Sequence, residues 1–323
     1  MIRNILLCLL LTVPLSAHAV GEEQDDDTWQ LLDKAAAAAH KLNYKGVFVY
    51  QAGRTVNSFQ IMHVNYGTGE LARVVMMDGV PREVLRQGNE AIIYQPTHEK
   101  AMIEKRRVRS SFPAILPPLT DALKISYQVR QIGFERVAGR DGVIIQLNPR
   151  DKLRYGCRFW VDRQSGLLLK SVMLNENGVI VENVAFNQLG MVNNPESNWF
   201  QSDADLSKAY AGQSEEMVKP SDIEGDGWVI TRLPAGFHQV EQVRRNVAGK
   251  TAMVNHLVFS DGLASVSLFI EPIEKNEAPK VGRCMQGATN VFADVVDDHQ
   301  VIVVGEVPEA TTRQIAASVS FKK

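Results

Sequence analysis

Between positions 149 and 189 apolar and polar residues alternate with the period of two that a half-buried strand requires, and turn residues interrupt them at short intervals. Tyr155, Cys157, Phe159 and Val161 fall on one face of a first strand, opposite Gly156, Arg158 and Trp160. A turn over 162–166 leads to a second strand over 167–174, and Asn175-Glu176-Asn177-Gly178 turns the chain into a third over 179–189. The Asn-Gly end of that turn tolerates the positive φ that a tight hairpin demands. The pattern predicts an antiparallel meander. Its middle strand is apolar on both faces, with Leu167, Leu169 and Met173 opposite Leu168, Val172 and Leu174. Both faces must therefore be covered. A helix and a second sheet layer would do so, and so would a curled sheet whose concave side holds an apolar ligand.

The same alternation recurs upstream and predicts strands over 47–51, 56–64, 71–77, 83–87 and 90–95, separated by glycine-containing turns. With strands over 126–136 and 142–147 the count reaches roughly ten, and a sheet that large must curl. Before it, Leu31, Leu32, Ala35, Ala39 and Leu42 recur at helical spacing and predict a helix over 29–42, with Asp25, Asp26 and Asp27 at its start. The alanine run 35–39 lets that helix approach a sheet closely. The pattern breaks between 96 and 121, where Lys105, Arg106, Arg107 and Arg109 run into Phe112, Ile115 and Leu116. Pro113, Pro117 and Pro118 exclude a regular strand or helix there. Basic beside apolar residues suits an amphipathic ligand, with the cations on anionic groups and the apolar side chains on acyl chains. A solvated flexible connection is the alternative reading.

After 189 the chain turns polar, and 193–226 is expected to be a linker. A second unit opens at Trp228. Its clearest hairpin joins 253–260 to 264–270 through Asp261-Gly262, and a further hairpin joins 291–296 to 301–307. A last helix is expected from Thr311, with Gln314 completing a capping box and Ile315, Ala316 and Val319 on its apolar stripe. The expected class is α+β: a large curled antiparallel sheet, a half-barrel with covering helices, over 20–192, and a smaller C-terminal α+β domain over 227–323.

Length agrees with two domains, since 323 residues exceed one small core. A formal charge of −2 argues against a general nucleic-acid binder, which needs a basic excess. The first 19 residues have the form of a targeting segment: Arg3, an apolar core over 5–13, and Ala17-His18-Ala19 as a cleavage site. The mature chain is expected to start at Val20 and to be exported. Cys8 follows Leu7, where a lipid-attachment box needs a small residue, so a free protein is expected. No later apolar run reaches the ~18 residues of a membrane span. Export leaves Cys157 and Cys284 in an oxidising compartment, a candidate disulfide between the two domains. Two buried small hydrophobes are the alternative.

Catalytic chemistry has no foothold at a recognised spacing. His40, His63, His98, His238, His256 and His299 are scattered, and Asp294, Asp297, Asp298 and His299 suit a solvated hairpin turn better than a metal site. The glycines at 139 and 142 lie between strands, where no phosphate cradle forms. Binding is therefore expected over catalysis, with no cofactor and no metal.

Several short stretches resemble the periplasmic sigma-E regulatory protein family, RseB or MucB. They are Pro149-Arg150-Asp151, Arg154-Tyr155-Gly156, Asp162-Arg163 and Ser165-Gly166-Leu167, then Leu169-Lys170-Ser171 and Leu174-Asn175-Glu176. Leu233-Pro234-Ala235-Gly236-Phe237, Asp261-Gly262-Leu263-Ala264, Phe269-Ile270-Glu271-Pro272 and Val304-Gly305-Glu306-Val307-Pro308 follow in the family's order. The resemblance implies a periplasmic negative regulator that binds the periplasmic part of an inner-membrane anti-sigma factor and shields it from proteolysis. It further implies release by lipopolysaccharide or mislocalised lipoprotein, and an N-terminal domain similar to lipoprotein carriers. A lipid or lipoprotein carrier is thus the competing class, though a pure carrier would not need residues 228–321. For docking the partner segment, Phe237, Arg244 and Arg245 are candidates, an aromatic beside arginines suiting a peptide with apolar and acidic groups. For these residues the alternative is a core phenylalanine and solvated arginines. Self-association is left open.

Overall fold

The computed structural model describes residues 19–88, 90–97, 100–107, 111–117, 121–195, 200, 209–211, 227–245, 253–274 and 277–321. Residues 1–18 of the expected targeting segment, Arg109, and most of the expected linker lie outside the described residues.

The chain opens with a helix, α1 (Ala19–Lys41), and then builds one sheet from strands β1 (Tyr44–Ala52), β2 (Thr55–Asn65), β3 (Glu70–Met76), β4 (Glu83–Gln87), β5 (Glu90–Thr97) and β6 (Lys100–Arg107). After a short helix, α2 (Asp121–Lys124), the sheet continues with β7 (Tyr127–Val137), β8 (Arg140–Pro149), β9 (Gly156–Asp162), β10 (Leu168–Leu174), β11 (Ile180–Met191) and β12 (Ala209–Ala211). The order is β12-β6-β5-β4-β3-β2-β1-β11-β10-β9-β8-β7. The two meanders are joined where β1 pairs antiparallel with β11, Tyr44 opposite Met191 and Ala52 opposite Glu182. β12 runs parallel to β6, and every other neighbouring pair is antiparallel.

This sheet curls without closing. Six strand spacings separate β2 from β7, roughly 29 Å if the sheet were flat, yet α1 touches both as well as β9 and β10. Helix α1 lies on the concave side of this half-barrel, in one core with both meanders. Trp29, Leu32, Ala35, Ala36 and Ala39 of α1 sit in one core with Phe48, Ile61, Ile145, Phe159, Leu168 and Phe186 of the sheet. The alanines remove the side-chain bulk that would hold the helix off the strands.

The second unit is a six-stranded sheet in the order β14-β15-β16-β19-β18-β17. A short strand, β13 (Trp228–Ile230), precedes it, followed by β14 (His238–Arg245), β15 (Val254–Ser260), β16 (Ser265–Pro272), β17 (Gly282–Gln286), β18 (Thr289–Val296) and β19 (His299–Gly305). Helix α3 (Glu309–Ala317) packs on β18 and β19, and the last strand, β20 (Val319–Phe321), pairs with β13. Val266, Leu268, Ile270, Val301 and Val303 meet Ile315 and Ala316 of α3 in a separate core. Among the described residues no helix is long and apolar enough to cross a membrane.

Three expectations are corrected. α1 starts ten residues before position 29, because Glu22, Glu23 and Gln24 are good helix formers and no proline intervenes, so the three aspartates lie within it. The basic stretch 105–107 belongs to a regular strand, β6, beside the three-residue edge strand β12; charged residues are ordinary at sheet edges. Finally, α3 begins at Glu309 with Pro308 as N-cap and no side-chain cap bond. Thr311 instead gives its hydroxyl to the backbone oxygen of Leu153 in the other unit, 2.5 Å away. Asp297 and Asp298, with φ of 45° and 60°, form the turn between β18 and β19.

Candidate functional site

The concave face of the large sheet is where an apolar ligand would lie, and in this structure the protein fills it. Phe48 of β1, Phe59 of β2 and Phe186 of β11 form an aromatic row, with Phe48 5.2 Å from Phe59 and 6.1 Å from Phe186. Phe186 lies across β1 because position 46 is glycine: a Cβ there would stand 2.9 Å from its ring and 2.4 Å from the Gln188 carbonyl. Residues 111–117, in neither helix nor strand, add Phe112 to the row, 5.2 Å from Phe48 and 4.9 Å from Phe186. Phe112, Ala114 and Leu116 are all buried in this core. The space left beside them is about 30 Å³, lined by Tyr44, Ile61, His63, Val74, Phe112 and Ala114 among others. That is room for a water or two, against the ~300 Å³ or more of a ligand pocket.

One polar group borders this cavity. Glu70 of β3 accepts from His40 (2.8 Å) and lies 3.3 Å from His63 Nε2 and 3.6 Å from Arg86. His63 also bonds the Leu42 carbonyl at 2.8 Å and stacks on Tyr44 at 4.8 Å. Burial pushes the His63 imidazole below its ordinary value, more than its bonds to Leu42 and Glu70 restore. For Glu70 burial acts upward, but the two histidines outweigh it and hold the carboxyl low. The cluster pins the end of α1 to the sheet.

A second polar centre lies on the seam between the two units. The Arg154 side chain is fully buried and donates to Asp151 at 3.0 and 3.1 Å, to the Ala235 carbonyl at 2.6 Å, and to Asp261, also fully buried. Its guanidinium lies over the rings of Tyr127 (5.7 Å) and Phe237 (5.1 Å). The other Asp261 oxygen accepts the N–H groups of Leu263 and Ala264, at 3.0 and 2.8 Å, and so shapes the β15–β16 turn. Asn290 donates to Tyr155 at 3.0 Å and to the Val307 carbonyl at 2.8 Å, a further bond across the seam. Nearby, Tyr50 donates to Glu182 at 2.9 Å. Burial, and then the charge of Glu306 from the second unit, pushes Glu182 up to about 7.

The expected site residues are placed as follows. Phe112 and Leu116 are buried and Ile115 packs against the same core, so the three are brought together on the concave face. Lys105, Arg106 and Arg107 lie on β6, in register with Ile92, Ala91 and Glu90 of β5. Phe237 is only 7% exposed and packs in the C-terminal core, with the Arg154 cation over its ring. Arg244 lies on β14 with its Nε on Asn255 at 3.1 Å, and Arg245 ends that strand. The Cys157–Cys284 disulfide is also corrected, for both thiols are free, Cys157 buried in the large sheet and Cys284 exposed on β17. Arg154 and Asp261 were missed as a site, although a charged residue opening an apolar strand and an Asp-Gly turn were both visible.

Two open sheets joined by a buried ion pair, the larger with its concave face filled, make a two-part molecule in which no group of His, Cys, Asp and Glu among the described residues could hold a metal ion. The family model for the MucB/RseB N-terminal domain matches residues 27–204 and that for the MucB/RseB C-terminal domain matches 222–320. The chain belongs to the MucB/RseB family. It is 32% identical over 323 residues to the sigma factor AlgU regulatory protein MucB of Pseudomonas aeruginosa, covering 96% of each chain. It is 26% identical over 315 residues to the sigma-E factor regulatory protein RseB of Haemophilus influenzae, covering 97% of each. Among solved structures, MucB in the Pseudomonas aeruginosa MucA/MucB complex superposes with a TM-score of 0.75 at 28% identity, over 92% of this chain and 99% of that one.

Proposed function

We propose that this chain is a periplasmic negative regulator of a sigma-E-type envelope-stress response, acting by binding the periplasmic segment of an inner-membrane anti-sigma factor and covering it from proteases. The carrying observation is that likeness to MucB extends over both units, and MucB has been solved in complex with MucA. Residues 20–192 form the lipid-sensing domain, 193–226 the linker, and 227–323 the main docking domain, with β14 and its Arg244 and Arg245 facing acidic groups of the partner. Lipopolysaccharide or mislocalised lipoprotein releases the partner, its acyl chain entering the concave face and its anionic groups meeting Lys105, Arg106, Arg107 and Arg109. A carrier that only ferries lipid has no use for a second unit joined by a buried ion pair. The test is a protection assay: the cognate anti-sigma segment is digested with and without this protein. Slowed cleavage, relieved by lipid A or a triacylated lipopeptide, is expected; cleavage unaffected by the protein overturns the proposal.

A further inference from the structure

We infer that residues 111–117 are a built-in stopper occupying the place of an acyl chain, and that expelling them transmits lipid binding to the second unit. The inference rests on the lipid-sensing reading above. It starts from what the segment touches at each end. At one end Phe112 lies between Phe48 and Phe186 and leaves only about 30 Å³ beside it. At the other, Pro117 lies against the β15–β16 turn of the second unit: a Cβ added at Gly262 would stand 3.6 Å from the Pro117 ring and 3.5 Å from Leu123. Leu263 of that turn packs against the same core that Phe112 and Leu116 join. Asp261, which begins the turn, is the residue held by Arg154. One seven-residue segment therefore borders both the ligand space and the seam.

Its chemistry suits exchange for an acyl chain. Phe112, Ala114 and Leu116 bury apolar side chains in the core on the concave face, so a hydrocarbon chain replaces like with like. The segment's backbone bond among the described residues, Ala114 N–H to the Ser111 carbonyl at 2.7 Å, is internal and can travel with it. A strand in the same place would have to break its ladder to leave. Once the segment departs, the turn at 261–264 loses the surface formed by Pro117, which weakens the setting of the Asp261 carboxylate against Arg154. Coupling is reciprocal, so whatever holds the seam shut also holds the stopper in.

The test uses the full chain, a fluorescent C18 fatty acid as probe, and amide hydrogen exchange at Leu263 and Ala264, whose N–H groups are tied to Asp261. Phe112→Ala removes the stopper's ring and should raise probe affinity at least about tenfold, because binding no longer has to expel it. Phe112→Leu, which keeps more of the core filled, should give an intermediate gain and stands in if the alanine variant fails to fold. In the wild type, probe binding should accelerate exchange at both amides; in Phe112→Ala this response should shrink. Competition by lipid A in one arm and a triacylated lipopeptide in the other tells which source supplies the chain. If the wild type binds the probe but neither variant binds it more tightly, and exchange at Leu263 and Ala264 is indifferent to probe, the stopper is refuted while lipid sensing stands. If the wild type binds none of the three, lipid sensing itself fails.

Discussion

Substituting Asp261→Asn isolates the charge at the seam while keeping its shape. An asparagine Oδ1 can still accept the N–H groups of Leu263 and Ala264, so the turn survives. What changes is the face toward Arg154, where an amide NH₂ now meets a guanidinium that has no exposure to water. Removing one partner of a buried pair costs about 3–5 kcal/mol, because the remaining charge stays desolvated. Asp151 and the Ala235 carbonyl still hold Arg154, which places the expected loss near the lower end, about 3 kcal/mol. For a unit of this size each kcal/mol moves Tm by about 4–8 °C, so the C-terminal transition should fall by roughly 10 °C or more and separate from the N-terminal one. Asp151→Asn is the control: its side chain is 30% exposed and its pairing is local, so a loss under about 1 kcal/mol is expected. Differential scanning calorimetry at pH 7 reads both. A melt within about 1 °C of wild type for Asp261→Asn, or a larger loss for Asp151→Asn, refutes the ion pair as what fastens the units.

Two further outcomes follow from the described burial. Glu182, with an ordinary value of 4.5, is pushed up to about 7, so the folded protein keeps a proton that the unfolded chain releases above 4.5. Stability is therefore lost as pH rises through that window, by on the order of 3 kcal/mol, and Glu182→Gln should gain on wild type from pH 5 to pH 8 in denaturant titrations; a difference flat with pH contradicts this. Cys284 should react with a thiol reagent in the native protein while Cys157, buried and with its thiol pushed up by that burial, reacts only after unfolding. Mass spectrometry that finds the two cysteines bonded, or equally reactive, would contradict the structure.

The meander over β9, β10 and β11 was legible because strict alternation, an Asn-Gly turn and a doubly apolar middle strand agree with one another. The β15–β16 hairpin was legible for the same reason. Strand β6 was not, since Lys105, Arg106 and Arg107 suppress its apolar period and the prolines downstream suggest a loop; only its neighbours in the sheet make it a strand. Thr311 and Gln314 have the spacing of a cap, but local spacing carries no information about Leu153, which claims the hydroxyl from another unit. Phe112, Ile115 and Leu116 were picked out as ligand contacts from their chemistry; that they pack into the core of the large sheet depends on how β1, β2 and β11 curl around them. The Arg154–Asp261 pair joins residues 107 apart in sequence, and no periodicity encodes such a contact.

Isothermal calorimetry of the full-length protein with the periplasmic segment of its cognate anti-sigma factor, in the absence and presence of lipid A, tests the regulator assignment most directly. Saturable binding without lipid, weakened when lipid A is added at fixed ionic strength, is the expected result. A segment that fails to bind, or that binds equally well with lipid A present at saturating concentration, contradicts a lipid-released regulator.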